Sequence, residues 1–150
     1  MLVHELDATA CRAVLGRCDL GRLACAHNDQ PYIVPIHFSF DAGRSCLYAC
    51  STVGQKIGWM RQNPKVCLEV EEFADKDHWT TVLVFGRFEE LGDLPVDTAV
   101  LRSARELFQQ RREWWLPAAA KIGSHERHEM IIYRIVISRL SGRRASREGA

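Results

Sequence analysis

The clearest periodicity in the chain runs from residue 31 to 40, PYIVPIHFSF, where Tyr32, Val34, Ile36, Phe38 and Phe40 alternate with Ile33, Pro35, His37 and Ser39. A period of two is that of a strand with one buried face, and the even positions form its core side. Pro35 has no N–H to give a ladder, so this strand is expected at an edge or bulge, leaving backbone groups for something other than a strand partner. Upstream, 20–27 (LGRLACAH) reads as a strand closed by the turn Asn28-Asp29-Gln30-Pro31, and 7–17 as a short helix with Asp7 or Thr9 as N-cap.

Further on, 46–51, 65–73, 78–91 and 128–140 read as strands. Val66, Leu68 and Val70 point inward against Lys65, Glu69 and Glu71. Val82-Leu83-Val84-Phe85 is apolar on both faces, which requires cover on both sides, the second from a helix or a partner subunit. Ile131, Tyr133, Ile135 and Ile137 give the last strand its inner face. The longest helical pattern is 95–112, with Val100, Leu101, Ala104, Leu107 and Phe108 on one stripe. Six strands with turns suited to antiparallel pairing, and three helices too irregularly placed for parallel units, predict a mainly β fold: a small antiparallel barrel with peripheral helices. Residues 1–140 form a single domain, and 141–150 (SGRRASREGA) a flexible polar tail in which Arg143, Arg144 and Arg147 are solvated.

Composition narrows the function classes. The 150 residues suit one domain, and a net charge of +1 excludes a general nucleic-acid binder. No stretch is long and apolar enough to span a bilayer and no secretory leader is visible, so a cytoplasmic protein is expected, with no membrane partner. The six cysteines, at 11, 18, 25, 46, 50 and 67, form no C-x-x-C and read as reduced packing residues. His125 and His128 have helical ligand spacing but no identifiable third ligand, so no metal site is assigned. Trp79, Trp114 and Trp115 read as packing or interface residues.

One charge stands out. In CSTVGQKIGWMRQNP (50–64), a short helix stopped by Pro64, the first turn holds Lys56 and no acid, although a helix start favours anions. Thr52 with Gln55 reads as a capping box that would satisfy the first amides, leaving Lys56 solvated. The other reading is a phosphate held by Ser51, Thr52, the backbone amides and Lys56 at a strand-to-helix turn.

The order GRLACAHNDQPYIVPIHFSFD, CLYACSTVGQKIGWMRQNPKVCLEVEEF and HWTTVLVFGRFEEL resembles the FMN-binding split-barrel flavoproteins, the pyridoxamine 5'-phosphate oxidase-like superfamily, and within it the nitroimidazole-resistance-type branch. The resemblance spans roughly 7–92 and the terminal strand. It implies a six-stranded antiparallel split β-barrel, a homodimer with FMN at the subunit interface, and an oxidoreductase acting on a small molecule. Carried over by position, Ser51, Thr52, Gln55 and Lys56 would surround the phosphate, Pro35, Ile36 and His37 would present mainly backbone to the isoalloxazine, and Thr81 would face the flavin. Cys50 stands where such relatives often have a histidine, so no catalytic residue is assigned. The alternatives are a non-catalytic flavin-binding or redox-sensing dimer, or a relative using deazaflavin or haem.

Overall fold

The computed structural model describes residues 1–110 and 130–147. The elements run β1 (Leu2–Leu6), α1 (Ala8–Arg17), β2 (Leu20–His27), β3 (Gln30–His37), β4 (Ser39–Asp41), β5 (Cys46–Thr52), α2 (Gln55–Gln62), β6 (Lys65–Asp75), β7 (His78–Leu91), α3 (Thr98–Gln109, entered through a 3-10 turn at Pro95–Asp97) and β8 (Met130–Ser146). All pairings are antiparallel, in the order β3-β2-β6-β7-β8-β5-β4, with β1 on β8. The sheet does not close: its two edges, β3 and β4, follow one another in sequence with Phe38 alone between them.

Local chemistry explains most boundaries. Asp7 caps α1, its carboxylate accepting from the Ala10 amide at 2.8 Å. Asn28 and Asp29 take φ of 48° and 62°, the left-handed pair that a two-residue hairpin turn needs. The barrel core gathers Val14 and Leu15 from α1, Leu23, Ile36 and Phe38 from the first hairpin, Leu68, Val70, Val82 and Val84 from β6 and β7, and Tyr133 and Ile135 from β8. A smaller core outside the barrel packs Leu101 and Ala104 of α3 on Cys46, Tyr48 and Leu91.

Eight strands are present rather than six. β1 was not expected from the sequence, and the 31–40 run is two strands: through Phe38, whose amide donates to Asp19 O at 3.0 Å, the chain pairs with the β2 side, and from Ser39 it pairs with β5. Residues 141–146 are not a tail: β8 continues through Ser146 because Gly142 and Ala145 face packed neighbours while Arg143 and Arg144 lie between β1 and β7. A Cβ at Gly142 would come within 2.7 Å of the Cys11 sulfur, so only glycine lets α1 close over the strand there. The region of Trp114, Trp115, His125 and His128 lies outside the described residues.

Candidate functional site

The pairing of β4 with β5 covers three positions: Ser39 with Tyr48, Phe40 with Leu47, and Asp41 with Cys46. Continued in the same register, it would set His37 opposite Cys50, Ile36 opposite Ser51 and Pro35 opposite Thr52. That continuation is not made, since β3 turns to β2 instead. The wall of the barrel therefore divides at Phe38 into a V-shaped split, with Pro35, Ile36 and His37 on one lip and Cys50, Ser51 and Thr52 on the other. Five of the eight residues expected to hold the flavin line the two lips.

The backbone groups that face the split follow from strand alternation. Because the Phe38 amide donates toward β2, the even positions of β3 turn their N–H and C=O groups to that neighbour and the odd positions turn theirs to the open lip. Pro31 and Pro35 are both odd. Between residues 31 and 37 the lip thus offers carbonyls at every odd position, but N–H groups from Ile33 and His37 alone. On β5 the parity set by Ile137 N donating to Ser45 O directs the odd residues to β8, which leaves Cys50 and Thr52 facing the split.

At the open end of the split β5 passes into α2. The N-cap is Gly54, with extended backbone and no side-chain hydrogen bond. The capping box is therefore absent: Thr52 is still in the strand, paired opposite Met130, and cannot reach the helix amides as an N-cap does. No side chain caps the helix start and its first turn holds no acid, so its positive end is matched by nothing ionic of its own. Gln55 is exposed and Lys56 half-buried. Ile57 and Met60 anchor the helix in the core, and Trp59 packs against His27 and Tyr32 at centroid distances of 5.6 Å, holding α2 over the β2–β3 hairpin. Asn63 adds a hydrogen bond to Ala26 O at 3.0 Å.

Lys56 acts electrostatically on two thiols. Burial pushes Cys50 and Cys25 up, and the Lys56 ammonium pulls both back down. The lysine is thus within electrostatic range of β2 and β5, and burial still leaves both thiols raised. The Ser51 hydroxyl is buried and donates to Thr52 O at 2.8 Å, so toward a phosphate it is left as an acceptor or must turn. His37 Nδ1 stands 3.3 Å from Asp19 O, a contact that steadies the ring at the back of its strand.

Thr81 belongs to neither lip of the split. It lies half-buried on the outer face of β7, between Glu71 and Arg143. Across the sheet it is three strands from the β3 lip, through Glu71 of β6 and the β2 position paired with His37. The same outer face carries Ile33 and Leu83, 64% and 37% exposed, together with Pro35, Cys67 and Phe85, whose ring lies 4.0 Å beneath the Arg139 guanidinium. The second cover that the 82–85 run requires is not supplied by any described element. Sequence reasoning did not single out Tyr133, whose phenol is fully buried in the barrel with no hydrogen-bond partner. All six cysteines are free, and no group of three potential metal ligands occurs among the described residues.

An antiparallel barrel split beside a strand-to-helix turn is the architecture of the flavin-binding split barrels. The chain belongs to the pyridoxamine 5'-phosphate oxidase family, whose profile matches residues 7–144. An uncharacterised protein of Rhizobium meliloti is 41% identical over 121 residues, covering 81% of this chain and 79% of that protein. A crystal structure described as an FAD-binding protein from Mesorhizobium loti is 38% identical and superposes with a TM-score of 0.80, covering 98% of this chain and 99% of that one. A candidate 5-nitroimidazole antibiotic resistance protein from Bacteroides thetaiotaomicron shares the fold at 13% identity, with a TM-score of 0.65 over 95% of this chain and 89% of that one. No helix among the described residues is long and apolar enough to cross a membrane.

Proposed function

We propose that the protein is an FMN-dependent oxidoreductase of a small-molecule substrate, binding the flavin along the split between β3 and β5 with its 5'-phosphate at the start of α2. The observation that carries this reading is the junction itself: two strand lips with outward backbone groups lead to a helix start that has no side-chain cap and no acid, beside Lys56. The pyrimidine edge of a flavin alternates carbonyl acceptors with an N–H donor. The lip offers the complement, a Pro35 carbonyl and a His37 amide. On this reading Gln55 and Thr52 would add donors to the phosphate. When bound, the flavin carries the electrons; the protein binds, orients and shields it.

The apolar outer face supports a homodimer: a second copy seated on Ile33, Leu83 and Phe85 would have its own residues beside the groove. That copy also covers the apolar 82–85 run. Titration of the purified protein with FMN tests the reading: a red-shifted, structured absorption band and quenched flavin fluorescence are expected, followed by flavin reduction by a nicotinamide donor. A protein that leaves the FMN spectrum unchanged refutes it. A second reading, FAD in place of FMN, is favoured by the 38%-identical relative described as FAD-binding. Parallel titrations with the two flavins separate them.

A further inference from the structure

A cleft of about 480 Å³ opens where β6 ends, β7 begins and β8 ends. Two cross-strand rows border it: Glu72, Thr80 and Arg144, and one position along, Phe73, Trp79 and Ala145. In a flat sheet neighbouring rows point to opposite faces, but here the pairing shifts between Phe73 and Asp75, with Ala74 as the extra residue. A bulge bends the strand and increases its twist, which lets both rows border one cleft. The volume suits a small organic molecule.

Packing does not explain the rings. Phe73 is 65% exposed, and Trp79, its partner across the strands, is half-buried. Large apolar groups left uncovered beside a cavity mark a recognition surface rather than a core. The polar side of the cleft is held firmly. Thr80 is buried, and its hydroxyl accepts from Arg144 Nε at 3.2 Å. That bond fixes the guanidinium by its inner nitrogen, and among the described residues its two Nη groups have no hydrogen-bond partner. The neighbouring charges pair off. Glu72 accepts from Arg17 with both oxygens, at 2.8 and 3.0 Å, and interacts with Arg144 electrostatically, without a hydrogen bond. His78 pairs with Asp75 at 3.0 Å, and Arg147 with Asp77 at 2.7 Å. Arg17, Glu72 and Arg144 together leave one positive charge at the cleft.

We propose that this cleft binds a small aromatic carboxylate, its ring system against Phe73 and Trp79 and its carboxylate in the open fork of Arg144. A guanidinium matches a carboxylate with two parallel N–H donors, and the adjacent rings favour a flat apolar body. The cleft shares no residue with either lip of the split, so the assignment does not depend on the flavin.

Equilibrium dialysis with 2-naphthoate, and with uncharged 2-naphthamide as control, tests this in the presence and absence of FMN. Saturable stoichiometric uptake of the acid is expected, unaffected by FMN, with the amide about tenfold weaker because it lacks the charge-assisted bond. Arg144→Gln should bring the acid down to the level of the amide and leave the amide within twofold. Phe73→Ala removes an exposed ring without touching the core, and should weaken both probes about fivefold. No saturable uptake, equal affinity for acid and amide, or unchanged acid binding in either variant overturns the inference. Uptake abolished by FMN places the acid in the split, and overturns it as well.

Discussion

Replacing Lys56 by alanine isolates the phosphate half of the site. In the folded chain this ammonium sits half-buried at the first turn of α2, where the helix has neither side-chain cap nor acid. A charge-assisted hydrogen bond to a phosphate contributes about 1.5–3 kcal/mol, so FMN should bind roughly 10- to 150-fold more weakly. Riboflavin, which has the ring and no phosphate, should bind both proteins alike, so the FMN-to-riboflavin affinity ratio collapses toward one. Fluorescence quenching titrations at fixed ionic strength measure all four constants, and added salt should weaken the wild-type FMN complex more than that of the variant. The thiols give an independent check that needs no ligand. With the ammonium gone, burial acts alone on Cys50 and Cys25, and their alkylation at fixed pH should slow. Equal losses for FMN and riboflavin, or unchanged FMN affinity, would refute the placement of the phosphate.

Gly86→Ala should destabilise the barrel by about 1–3 kcal/mol in urea melts, since a Cβ there would stand 2.5 Å from Val136 O at the β7–β8 irregularity. Leu83→Lys on the outer face is expected to shift sedimentation toward the monomer and weaken flavin binding with it. Asp41 should make folding acid-sensitive. Burial raises its pKa, but hydrogen bonds from the Tyr48 hydroxyl, the Arg44 amide and the Arg44 guanidinium outweigh this and hold it below the usual carboxylate range. Its contribution is present above the unfolded value of about 3.9 and is lost as pH falls through the depressed folded value. Denaturant midpoints should therefore be flat from neutrality to about pH 5 and drop below about pH 4. The drop should be smaller in Asp41→Asn.

Alternation carried most of the fold. β2, β6 and β7 are found where their periodicity puts them, because each has one face in the core and a slip of one residue would expose it. β1 was illegible because LVHEL is exposed along nearly its whole length, so no burial pattern marks it. The strand through Ser146 was hidden by composition: in SGRRAS, the inward positions are filled by glycine and alanine rather than by large apolar groups. The capping box misled because a sequence spacing does not say where a strand ends. Thr52 stays in the β5–β8 ladder, and the helix begins three residues later, at Gln55. For the site, Pro35 told of an open edge, which β3 is. It could not show where that edge parts from β5, which depends on the register in which β4 meets β5.

A barrel that keeps two strand lips apart exposes the same surface that drives chains to aggregate edge to edge. Pro31 and Pro35, standing on one alternation of β3, interrupt the row of donors that an incoming strand would need. The groove can thus remain open to a small planar guest while refusing a polypeptide. Two prolines on one alternation of β3 keep an open edge from acting as a template for another chain.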